Sequence, residues 1–116
     1  MSDDHGLEIA VDTRDGVSVV SPSGDVDMSA SPVLRTILLG LVRTSRPLVV
    51  VDLTGVPYMD SSGVATLVEA MKYVRQNGGA MALCHMNERV KGIFEIARLD
   101  QYFSICDSIC DAIEAL

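Results

Sequence analysis

The chain has 116 residues, 48% of them hydrophobic, and its 9 basic against 16 acidic side chains give a net charge of −7. That length is ordinary for one domain, and a mean hydropathy of +0.30 excludes a disordered acidic polymer. Net acidity repels phosphate backbones and anionic leaflets, so neither a nucleic-acid nor a membrane partner is expected. Base-stacking and sugar-binding platforms are disfavoured too, because the chain has three Tyr, two Phe and no Trp.

Met1–His5 is acidic and polar, without a signal-peptide pattern, and is expected to be a flexible N-terminus. No run approaches the roughly 18 apolar residues of a membrane span. A cytoplasmic protein is expected, with residues 1–116 forming a single domain. In Leu7–Thr13, Leu7, Ile9 and Val11 alternate with Glu8 and Asp12, the pattern of a half-buried strand. Asp15-Gly16 is a hairpin turn signal, and Val17–Ser21 returns antiparallel, interrupted by Pro22 through Gly24. A helix is expected from Ser29–Pro32, with Ser29 or Ser31 as its cap and Pro32 in its first turn. Its inward stripe is Val33, Leu34, Ile37, Leu38, Leu41 and Val42.

Leu48–Leu53 is a continuous apolar run broken only by Asp52, as in a central strand covered on both faces. A second helix follows Asp60-Ser61-Ser62-Gly63, with Val64, Leu67, Val68 and Met71 inward, and Asn77-Gly78-Gly79 ends it. Ala80–Cys84 reads as a short strand. Asn87 caps a third helix with Val90, Ile93, Phe94 and Ala97 inward. Tyr102–Cys106 reads as the last strand, and Ser108 opens a final helix. The expected fold is α/β: a mixed, mostly parallel sheet of about five strands with about four helices and an opening antiparallel hairpin.

Cys84, Cys106 and Cys110 are odd in number and lack metal-finger spacing, and the only histidines are His5 and His85. Reduced, mostly buried thiols and no metal site are expected. The one segment that carries chemistry is Asp60-Ser61-Ser62-Gly63, placed where a loop after the central strand enters a helix. In open α/β sheets such loops gather the site, and a helix N-terminus suits a phosphate, either bound or attached to a serine. Gly63 keeps the approach to the backbone uncluttered. The residues alone leave two readings open, a structural helix cap or a phosphate site.

Several segments, in this order and spacing, resemble the STAS domain, named for sulfate transporters and anti-sigma factor antagonists. They are Gly24-Asp25-Val26-Asp27, Val49 through Leu53, Tyr58 through Val64, Asn77-Gly78-Gly79, Val90 through Phe94, and Leu99 through Asp107. Within the family the chain looks most like the stand-alone bacterial anti-sigma factor antagonists. The resemblance implies partner switching. The unphosphorylated protein binds an anti-sigma factor that is also a serine kinase, and the sigma factor is released. Phosphorylation on Ser61 ends binding, and a serine phosphatase resets the switch. It further implies a binding face of Gly24, Asp25, Asp27, Asp60, Ser61, Ser62 and Gly63, and Met59, a soft side chain beside Ser61, is expected to pack against the partner. No catalytic residue and no cofactor of the chain's own is implied. ATP and Mg belong to the kinase, since no phosphate-binding loop of the Gly-x-x-x-x-Gly-Lys-Ser/Thr type is present. A monomer or weak dimer is expected.

Arg98 departs from the family, where glycine is common, and a left-handed backbone there would strain it. Two other readings are an esterase using Ser61 with His85 as base, which lacks a Gly-x-Ser-x-Gly elbow, and an unphosphorylated STAS scaffold subunit of a transporter or larger signalling assembly.

Overall fold

The computed structural model describes residues 6–116, so the expectation of a flexible Met1–His5 falls outside the described residues. The order is β1 (Glu8–Arg14), β2 (Val17–Ser23), α1 (Ser31–Val42), β3 (Leu48–Asp52), α2 (Ser61–Gln76), β4 (Ala80–Cys84), α3 (Glu88–Ile96), a 3-10 turn at Leu99–Gln101, β5 (Ser104–Cys106) and α4 (Ile109–Glu114). The strands lie in the order β1-β2-β3-β4-β5. The β1–β2 pair is antiparallel and the remaining pairs are parallel. Asp15 and Gly16 turn the hairpin with φ of 53° and 80°, the two positive values that match a tight turn to strand twist.

Alternation along the strands builds two apolar layers. Val20, Val49, Val51, Met81 and Leu83 pack on one face beneath α1, α2 and α3, through Leu34, Leu38, Leu67, Val74, Val90 and Phe94 among others. Val17, Val19, Val50, Ala82 and Cys84 face the other way, toward Ala112 of α4. β3 is therefore covered on both faces, as its unbroken valines imply. Asn87 caps α3 by accepting from the Val90 N–H, and Ser108 caps α4 by accepting from that of Asp111.

Six local expectations are corrected. β2 does not stop at Pro22; it stays paired with β1 through Ser23↔Glu8, and Pro22 lies beyond the Ser18–Val20 stretch that pairs with β3. Val11 is 46% exposed, because β1 is the outermost strand and the helices do not reach over it. α1 has Ala30 as its N-cap with no side-chain cap bond of its own, and Val33 faces solvent. Ala97 lies beyond the end of α3 and is exposed. β5 begins at Ser104, because Phe103 N–H is drawn back to the Leu99 carbonyl at 3.0 Å and its ring meets Phe94 edge-on at 5.6 Å.

Arg98 has φ 60° and ψ 26°, the left-handed conformation that costs a side-chain-bearing residue about 1–2 kcal/mol. Glycine removes that cost but makes the unfolded chain more flexible. Arg98→Gly is accordingly expected to stabilise the fold by about 0.5–1 kcal/mol, read as a higher midpoint in urea. An unchanged or lower midpoint contradicts the strain.

Candidate functional site

The loops leaving the carboxyl ends of β2 and β3 are stitched together. Gly24 N–H donates to Gly55 O at 2.8 Å, Val26 N–H to Tyr58 O at 3.0 Å, and Asp60 N–H to Val26 O at 3.2 Å. Ser23↔Gly55 and Val26↔Met59 form parallel bridges beyond the sheet. The two short segments singled out in the sequence, Gly24–Asp27 and Met59–Gly63, thus become one surface. Gly55 and Gly63 allow this packing, a Cβ at Gly55 lying 2.6 Å from Ser23 Oγ, while Gly24 fits the surface against the segment before β1. Gly24 has φ +124°, and a Cβ there would sit 2.5 Å from Gly6 O. At Gly63 a Cβ would lie 2.6 Å from Met59 Cγ and 2.8 Å from Val26 Cγ1. Gly63 is itself buried, so its missing side chain serves internal packing rather than a clear outward approach.

Two carboxylates of the site are held by hydrogen bonds from the residues that follow them. Asp60 is the N-cap of α2. Its Oδ1 accepts from Ser62 N–H at 2.9 Å, Ser62 Oγ at 2.5 Å and Gly63 N–H at 3.4 Å. Asp27 orders the turn before α1, accepting from Ser29 N–H, Ser29 Oγ and Ala30 N–H. The Ser62 hydroxyl chiefly, with backbone N–H groups of Ser62, Gly63 and Met28, holds the Asp60 carboxyl below its ordinary range despite desolvation. The Ser29 hydroxyl and the Ala30 N–H do the same for Asp27, against desolvation and repulsion from Asp60.

Ser61 is different from its neighbours. It is exposed at the first position of the 16-residue α2. Ser62 spends its hydroxyl on Asp60, whereas the Ser61 hydroxyl makes no hydrogen bond among the described residues. The first turn holds no acidic side chain, and helix N–H groups with their dipole favour added negative charge there. Asp25 is also exposed.

Met59 does not occupy the expected place. It is fully buried, with its side chain beneath Gly63, because the Val26↔Met59 bridge turns it into the core. The exposed apolar groups here are Met28 at 75%, Val33 in the first turn of α1 at 49%, and Tyr58 at 38%. Met28 escaped sequence reasoning. Its signal is an unbranched apolar residue between Asp27 and Ser29, which hydrogen-bond to each other across it, where a turn gives it nothing to pack on.

His85 is no base for Ser61: it lines a separate cavity of about 310 Å³ with Thr54, Asn87, Lys91 and Asp107, and no hydrogen bond joins the two residues. Next to His85, burial and the Asp52 carboxylate push the Cys84 thiol up to about 12, so it is inert as a nucleophile. Asp52, Cys84 and His85 donor atoms lie within 4.8 Å of one another, the one cluster of metal-ligating groups among the described residues.

The STAS domain family profile matches residues 8–112. An anti-sigma F factor antagonist of Paenibacillus polymyxa is 29% identical over 111 residues, covering 95% of each chain. An anti-sigma-B factor antagonist of Bacillus subtilis is 34% identical over 86 residues, covering 74% of this chain and 78% of its own. The crystal structure of an anti-sigma factor antagonist from Mycobacterium paratuberculosis superimposes with a TM-score of 0.87 at 28% identity, over 99% of this chain and 97% of that one.

Asp60→Ala is expected to cost about 0.5–2 kcal/mol through loss of the cap. Because the folded-state carboxyl titrates below its ordinary value of 3.8, the ionised cap contributes fully above that pH and loses its contribution as pH falls through the folded value. The gap between wild type and Asp60→Ala, measured by urea unfolding, narrows below about pH 4; a gap that widens there contradicts the assignment. Gly63→Ala forces Met59 and Val26 apart and is expected to cost about 1–3 kcal/mol, and wild-type stability in that variant contradicts the packing.

Proposed function

The chain belongs to the STAS domain family, and on that footing we propose that it is an anti-sigma factor antagonist switched by phosphorylation of Ser61. Its relatives are named as antagonists of regulatory factors and not as enzymes, and the chain acts by binding. In its unphosphorylated form it engages an anti-sigma factor that is also a serine kinase, in the cytoplasm, and the sigma factor is released. The Ser61 Oγ then takes the γ-phosphoryl group of an ATP held with Mg by that partner. ADP leaves with the partner, and the hydroxyl proton is lost to the partner's base or to solvent. A serine phosphatase restores the hydroxyl by hydrolysis.

The observation that carries this reading is the state of Ser61: exposed, at the start of a long helix, with its hydroxyl uncommitted while Asp60 and Ser62 are committed to each other. The contact face of the proposal is revised by the packing. Gly24, Met59 and Gly63 support it from below, while Asp25, Asp27, Asp60, Ser61 and Ser62 present its polar part. Met28, Tyr58 and Val33 supply the apolar surface that a stable interface buries at its centre.

A phosphate adds a charge of about −1.5 to −2. It arrives next to Asp60 and near Asp27, two carboxylates that already repel. In free solution the α2 terminus accommodates it, so the fold persists. Inside a desolvated interface it is a buried charge without a counter-ion, which costs several kcal/mol.

Ser61→Ala is expected to bind the anti-sigma factor as the unmodified protein does, even after incubation with ATP. Ser61→Asp is expected to weaken binding by about tenfold or more, equivalent to about 1.4 kcal/mol, measured by titration calorimetry against the purified partner. Equal affinities for the two variants contradict the switch.

A further inference from the structure

Beyond the switch surface, the carboxyl ends of β3, β4 and β5 bring together a second set of chemically capable side chains. We propose that Asp52, Cys84 and His85 form a binding site for a borderline-soft divalent cation of the Zn²⁺ class, with water from the adjoining cavity completing its coordination.

Three observations converge on it. The donor atoms of the three residues lie within 4.8 Å of one another, so a small side-chain adjustment brings them to the separations of about 3.3–3.8 Å that ligands at about 2.0–2.3 Å from a shared tetrahedral metal adopt. The ladder fixes two of them. Asp52 and Cys84 are direct partners across the parallel β3–β4 pair, so their side chains leave the sheet on the same face. His85 joins them by a backbone device. Continued extension would send it to the opposite face, but its φ of 60° turns it out of the strand, and its N–H is anchored on Cys106 O at 3.3 Å. Finally, the ligand carboxylate is oriented in advance. Thr54 N–H and Thr54 Oγ1 donate to Asp52 Oδ1 at 3.1 and 2.6 Å, and Cys84 Sγ approaches the same oxygen at 4.0 Å. Oδ2 remains for a metal. Such fixing of a ligand by a neighbouring donor is what tunes and holds protein metal sites.

The donor set chooses the metal. One sulfur, one imidazole nitrogen and one carboxylate oxygen suit Zn²⁺ and its tetrahedral analogues, and disfavour Mg²⁺ and Ca²⁺, which prefer oxygen alone. Three protein ligands leave one position open. His85, alone of the three, borders a cavity of about 310 Å³ that Thr54 and Asp107 also line, which brings room for water up to the imidazole. On binding, the Cys84 sulfur exchanges its proton for the metal and the proton passes to solvent.

The test uses the full chain carrying Cys110→Ser, which removes the exposed thiol, titrated with Co²⁺ as a visible stand-in for Zn²⁺. One equivalent is expected to bind, with a thiolate-to-cobalt charge-transfer band and visible bands of tetrahedral intensity, and Zn²⁺ is expected to displace it. Cys84→Ala removes the charge-transfer band. Because Cys84 is a core residue, the decisive variant is His85→Asn, since His85 is exposed and asparagine accepts the left-handed backbone. It is expected to lower Co²⁺ affinity by about tenfold or more with no loss of fold by circular dichroism. Absence of a charge-transfer band in the Cys110→Ser protein, or unchanged affinity in His85→Asn, overturns the site.

Discussion

The absence of a side chain at Gly63 sets the geometry on which the proposed switch surface depends. Met59 and Val26 press so closely on its Cα that no Cβ fits, and this contact seats the first turn of α2 on the Val26↔Met59 bridge. The bridge joins the loop after β2 to the loop after β3. One consequence is that Asp27 and Asp60, far apart in sequence, come near enough to repel. Another is that Ser61, one step before the buried turn, has nowhere to go but outward. The exposure of the serine and the burial of Met59 are two outcomes of one close approach.

The same geometry explains how a modification can act on binding without acting on folding. The groups that hold α2 in place are the Asp60 carboxylate, the Ser62 hydroxyl and the Gly63 packing, and none of them needs the Ser61 hydroxyl. Structural support and chemical accessibility are divided between adjacent residues. Asp60 caps α2 without the help of Ser61, and its negative charge opposes a nearby phosphate most strongly where a partner excludes water from the surface above it.

Much of the fold was legible because its signals are local. The valine run of β3, the Asp15-Gly16 turn and the Asn87 and Ser108 caps each specify their own conformation. Signals that depend on neighbours were not legible. Pro22 reads as a stop, yet β1 keeps β2 extended past it. Val11 reads as inward, yet an outermost strand lacks a helix to cover it. In the candidate site, the Asp60-Ser61-Ser62-Gly63 segment stood out through residue type and its place before a helix, whereas Gly24 through Asp27 entered through the STAS resemblance. Met59 was misplaced and Met28 missed, because which methionine faces water is decided by the bridge between loops. The Asp52, Cys84 and His85 cluster was hidden for a related reason. Linear spacing shows no metal-binding pattern when the strand ladder, rather than one helix or loop, brings the ligands together.

The central claim is that Ser61, and not the adjacent Ser62, receives the phosphate. It is tested most directly by reacting the purified chain with its partner kinase and ATP and mapping the product by peptide mass spectrometry. The account predicts a single phosphate on Ser61, and none in the Ser61→Ala variant. Phosphate on Ser62 or only elsewhere in the chain would contradict it.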